Sequence, residues 1–155
     1  MPELDCATFE GEIARTRRSV ARVLLADSDL ASRLALKTLL SAAGYGVECA
    51  ASASEAISRL DTTEYQLVLA DLRTESEEAG ARLLAYARQK EFRPATALIS
   101  SKLSEMEVDF DEVDRRGEHV VSISDENVSQ LLAGVADLIS QRADRRMRRK
   151  LRRAS

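Results

Sequence analysis

The chain has 155 residues, of which 45% are hydrophobic and 32% charged, enough for one well-buried core and short for two. No window approaches the roughly 18 apolar residues of a membrane span, and the acidic start lacks a signal-peptide form, so a cytoplasmic protein is expected. The net charge of −3 conceals a split: residues 141–155 carry eight Lys or Arg against one Asp, +7, while the remaining 140 carry 15 basic and 25 acidic residues, −10.

Residues 1–20 show no strand pattern, and Phe9, Ile13 and Val20 stand isolated among charges, so a short helix or loose arm precedes the core. Val23 to Asp27 (VLLAD) is a short, continuously apolar run closed by an acid, as suits a strand buried on both faces. Leu30, Leu34, Leu39 and Leu40 then recur near helical spacing, and Gly44 or Gly46 ends that helix. Val47 to Ala51 reads as a second strand. Ser52 followed by Glu55 is a capping-box pattern opening a helix to about Leu60.

Tyr65 to Asp71 (YQLVLAD) is the third strand and repeats the apolar run with a terminal aspartate. Residues 79–90 form a third helix on Leu83, Leu84 and Ala87, and Pro94 precedes a strand from Thr96 to Ser100. A polar helix carrying Glu105, Glu107, Asp109, Asp111, Glu112 and Asp114 follows, closed by Gly117. His119 to Ser124 reads as the fifth strand, and Val128, Leu131, Leu132, Val135, Leu138 and Ile139 as the stripe of a final helix. Met147 and Leu151 continue an i, i+4 stripe into a basic amphipathic extension, residues 141–155. Five strands alternating with five helices imply an α/β doubly wound parallel sheet, with the two aspartates meeting at its carboxyl edge, where such sheets do chemistry. His119, the only histidine, and Cys6 and Cys49, without CxxC spacing, argue for reduced thiols and against a zinc site.

Over residues 21–140 the chain resembles a response-regulator receiver domain of the chemotaxis type. The likeness rests on VLLADSD, on LVLADL with Gly80 nine residues after Asp71, on ALISS, on the glycine-led fifth strand and on the last amphipathic helix. It implies a flavodoxin-like sheet of order 2-1-3-4-5, with Asp71 as phosphoacceptor for a histidine kinase or phosphotransfer protein. It also implies Ser100 as the switch hydroxyl, and magnesium held by Asp27 and Asp71, with the backbone carbonyl of Arg73 as a further ligand. The chemistry requires the metal, because a carboxylate attacking an anionic phosphoryl group needs positive charge on the transferring oxygens.

Three positions depart from the family pattern. Ser28 stands where a second acid is usual, and Asp29, one residue on, is either a metal ligand or the cap of the following helix. Ser124 replaces the lysine of the fifth strand, and Val121 replaces its aromatic switch residue. Arg73 and Lys102 lie two residues beyond Asp71 and Ser100, as compensating cations or as solvated loop charges. The expectation is a stand-alone receiver-like protein, non-enzymatic except for self-phosphorylation or dephosphorylation at Asp71. Its alternative is a phosphorylation-independent pseudo-receiver that docks or dimerises through the acidic helix, the fifth strand and the last helix. A small phosphatase or nucleotide binder on the same scaffold lacks the glycine-rich loop or cysteine motif that it needs. A nucleic-acid-associated protein acting through the basic tail would bind phosphates without sequence preference, since the tail has no interleaved aromatics.

Overall fold

The structure is a computed structural model and describes residues 20–71, 77–100, 122–124 and 127–154. Its elements are β1 (Arg22–Ala26), α1 (Leu30–Ala42), β2 (Gly46–Ala50), α2 (Ala53–Thr62), β3 (Leu67–Asp71), α3 (Glu77–Arg88), β4 (Ala95–Ser100), β5 (Ser122–Ser124) and α4 (Val128–Ala154). The strands form a parallel sheet of order β2-β1-β3-β4-β5. The polar helix expected between β4 and β5, the N-terminal arm and the start of the fifth strand lie outside the described residues.

Both faces of the sheet are covered, which is why its central strands read as unbroken apolar runs rather than alternating ones. On one face Val23, Leu25, Leu67, Leu69, Ala97 and Ile99 meet Leu36 and Leu40 of α1 and Leu131, Val135 and Leu138 of α4. On the other, Leu24, Ala26, Val68, Ala70 and Leu98 meet Ala56 and Leu60 of α2 and Leu83, Leu84 and Ala87 of α3. Each fully buried Leu among them contributes about 2 kcal/mol of apolar transfer. The pleat assigns the faces: successive residues of β1 and β3 go to opposite layers.

One sequence expectation shifts and one open choice is settled. Leu30 and Leu34 do not enter the core but stand exposed, and Leu36 and Leu40 bury instead. Leu34 lies about 160° around the helix from Leu36, so the stripe at 30 and 34 faces away from the sheet. Gly44, not Gly46, ends α1: at φ 102° it lets its N–H reach Ser41 O at 3.0 Å while Tyr45 N–H reaches Leu40 O at 3.2 Å, a Schellman closure. The capping box at α2 forms in both directions, Glu55 N–H donating to Ser52 Oγ at 3.1 Å and Ala51 N–H to Glu55 Oε2 at 3.0 Å. That backbone donor is the main reason the Glu55 carboxyl titrates below its ordinary range.

Helix α4 is continuous for 27 residues, through position 141 and into the basic segment. Its last side chain in the core is that of Arg142; beyond it Met147 and Leu151 are exposed. No described helix is long and apolar enough to cross a membrane.

Candidate functional site at the carboxyl edge of the sheet

The two aspartates are brought together by strand register. Ala26 of β1 pairs with Ala70 of β3, so Asp27 and Asp71 occupy the next step on neighbouring parallel strands, which run about 4.8 Å apart. Both are withdrawn from solvent, Asp27 at 0% and Asp71 at 1% exposure. Two carboxylates buried at adjacent strand ends repel each other, and a bound cation would relieve that repulsion.

Asp27 is held firmly at its backbone. Its N–H extends the β1–β2 ladder to Ala50 O at 3.0 Å, and its carbonyl accepts from Arg33 Nη1 at 2.8 Å. One carboxylate oxygen, Oδ1, accepts from Asp29 N–H at 2.9 Å, while Oδ2 is buried with no hydrogen-bond partner. A buried carboxylate oxygen without a partner is costly in an apolar surround, and it is the donor that a hard divalent cation takes.

Asp29 is the N-cap of α1, its Oδ2 accepting from Ser32 N–H at 3.3 Å, so the capping role is present in this structure. Among the described residues no group of three or more His, Cys, Asp or Glu side chains gathers as a metal site. The donor set at hand is therefore two carboxylates, Asp27 and Asp71, which fits a loosely held magnesium ion completed by water and backbone oxygen. Arg73, whose carbonyl was expected to add a ligand, lies outside the described residues, as does Lys102.

Ser100 ends β4 one step past Ile99, the register partner of Asp71, and pairs with Ser124 of β5. Ser124, at the position where the family pattern has a lysine, thus stands beside Ser100, two strands from Asp71. Sequence reasoning missed Arg33. Its signal was a cation four residues after Asp29, one turn inside the helix that opens at the acid-bearing loop. Arg33 bonds the Asp27 carbonyl, and its charge opposes, without overcoming, the burial that raises the Cys49 pKa on β2. It does not replace the lysine on the β5 side.

Cys49 is a free, half-buried thiol, and its burial, more than any charge, pushes its pKa up. It is accordingly a poor nucleophile. Tyr65 is fully buried, and its hydroxyl donates to Glu48 Oε2; burial first and then Glu48 push it up to about 12. Both belong to the scaffold rather than to the acid pair.

The fold is a doubly wound parallel α/β sheet with two buried aspartates at its carboxyl edge. No family model and no curated protein sequence matches the chain. Solved structures do. A response regulator receiver protein from Sinorhizobium medicae shares 21% identity at a TM-score of 0.66, over 79% of this chain and 97% of that one. A CheY-like receiver domain from Methanospirillum hungatei shares 20% at 0.68, over 81% and 98%. The adenylate cyclase from Rhodopirellula baltica shares 18% at 0.73, over 88% and 99%. The chain therefore has the response-regulator receiver fold.

Proposed function

We propose that the chain is a receiver-like signalling protein in which Asp71 accepts a phosphoryl group from a histidine kinase or phosphotransfer protein. The observation that carries the reading is the juxtaposition of Asp27 and Asp71, both buried at matched strand ends, with one Asp27 carboxylate oxygen unpartnered. Asp27 and Asp71 would hold magnesium, whose charge offsets that of the transferring phosphoryl oxygens. Ser100 would turn its hydroxyl to the arriving group. With Ser124 in place of a lysine and Asp29 engaged as a cap, transfer is slow and couples weakly to the rest of the fold. The reading is non-enzymatic apart from self-phosphorylation and dephosphorylation at Asp71, and its setting is the cytoplasm.

Ser28 and Ser124, in place of the usual acid and lysine, favour a second reading, a pseudo-receiver that signals by docking alone. Its surface is formed by the acidic segment 105–114, the fifth strand and the final helix, against a target or a second copy. Magnesium and beryllofluoride, which together imitate the acyl phosphate, distinguish the two readings. Saturable amide shifts that vanish in Asp71→Asn are expected. A well-folded wild type that shows no shift at high magnesium would sink the phosphoacceptor role and leave the docking module.

A further inference from the structure

The stripe of α4 that faces the sheet changes character along its length. Leu131, Val135 and Leu138 occupy it over the core, and the same three- and four-residue steps continue as Arg142, Arg146, Arg149 and Arg153. Arg142 marks the change. It is 6% exposed, and it donates from Nη2 to Phe92 O at 2.7 Å and from Nε to Arg93 O at 3.1 Å. These bonds fasten the α3–β4 loop to the helix at the amino-terminal edge of the sheet. Arg93 completes that loop with φ 40°, a conformation that few non-glycine residues adopt.

Between loop and helix lies a cavity of about 420 Å³. Five cations line it, Arg93, Arg146, Arg149, Lys150 and Arg153, with Glu91 as the single acid and Phe92 as an apolar wall. None of the five cationic side chains has an ion-pair or hydrogen-bond partner among the described residues. Desolvation, and then the Arg93 and Arg146 charges, depress the basicity of Arg149. Helix formation does not require this arrangement, since leucine or glutamine would serve α4 as well.

The volume lies in the range of small-molecule sites. Guanidinium forks match phosphate oxygens two at a time. The cations come from two elements and converge on one concave space, which suits a compact anion. A nucleic-acid strand instead needs cations laid out along a line at the phosphate repeat. We propose that this cavity binds a multiply charged phosphate anion of the di- or triphosphate class, at the opposite edge of the sheet from Asp27 and Asp71.

The test is calorimetric titration of the full chain with sodium tripolyphosphate, with ATP free of divalent metal, and with a short DNA duplex, at about 0.15 M salt to screen diffuse attraction. Saturable binding of tripolyphosphate at one site per chain is expected. Arg149→Gln and Arg146→Gln should each weaken it about tenfold or more, since each removes a charge-assisted bond. Arg148→Gln makes the same change of net charge but lies outside the cavity, and it should alter affinity less than about twofold. Far-UV circular dichroism confirms that each variant is folded. Equal affinity for ATP and tripolyphosphate assigns the phosphate chain as the ligand, and tighter ATP binding assigns a nucleotide. The proposal is overturned if Arg148→Gln is as damaging as Arg149→Gln, if DNA binds where tripolyphosphate does not, or if nothing binds.

Discussion

In the proposed phosphoacceptor reading, Asp27 sets stability against function within one side chain. Its Oδ2 is buried and unpartnered beside a second acid, an arrangement that costs free energy and that a bound cation would relieve. Asp27→Asn removes the charge and should raise metal-free stability by about 1 kcal/mol while weakening magnesium binding at least tenfold. Denaturant melts with and without magnesium check both halves. Equal melts in wild type and variant would show that the acid pair carries no strain. Tyr65 responds to pH in the alkaline range. Its folded pKa of about 12 stands above the ordinary 10, so the neutral form is favoured by folding. That stabilisation is complete below pH 10 and is lost as pH rises from 10 through about 12. In Tyr65→Phe the alkaline fall in stability should flatten over that window, as followed by urea midpoints.

At the scale of elements, the strands were readable because burial on both faces leaves them no polar positions to blur their limits. The VLLAD and LVLAD runs were placed within two residues at either end of β1 and β3. The helix opening at Ser52 was readable because capping is local chemistry, settled by two residues three apart. The buried face of α1 was not. Leucines at 30, 34, 36, 39 and 40 offer more than one helical stripe, and only packing against β1 and α4 selects Leu36 and Leu40. The acid pair was readable from strand ends, since register converts two sequence positions into one location. Arg33 was missed because its bond goes to a backbone carbonyl, which carries no signature in side-chain type.

At the scale of the whole molecule, charge and burial divide at the same place. The globule ends at Arg142, and the residues after it on α4 bury no apolar side chain. Removing residues 143–155 should therefore lower the melting temperature by less than about 3 °C in scanning calorimetry. A larger fall would mean that the tail completes the core. Why the sequence marks this boundary is plain from composition, since the stripe changes there from leucine to arginine. What composition did not reveal is that the helix crosses the boundary without a break.

That unbroken passage makes α4 a lever. Twelve residues past Arg142 extend it by about 18 Å at 1.5 Å per residue, beyond the point where the helix is gripped. A tilt of about 10° at the grip carries the tip through about 3 Å, so small repacking beside β5 is amplified at the far end of the molecule. A movement of β5 that tilted α4 would be carried, without an intervening joint, to the arginine-bearing arm.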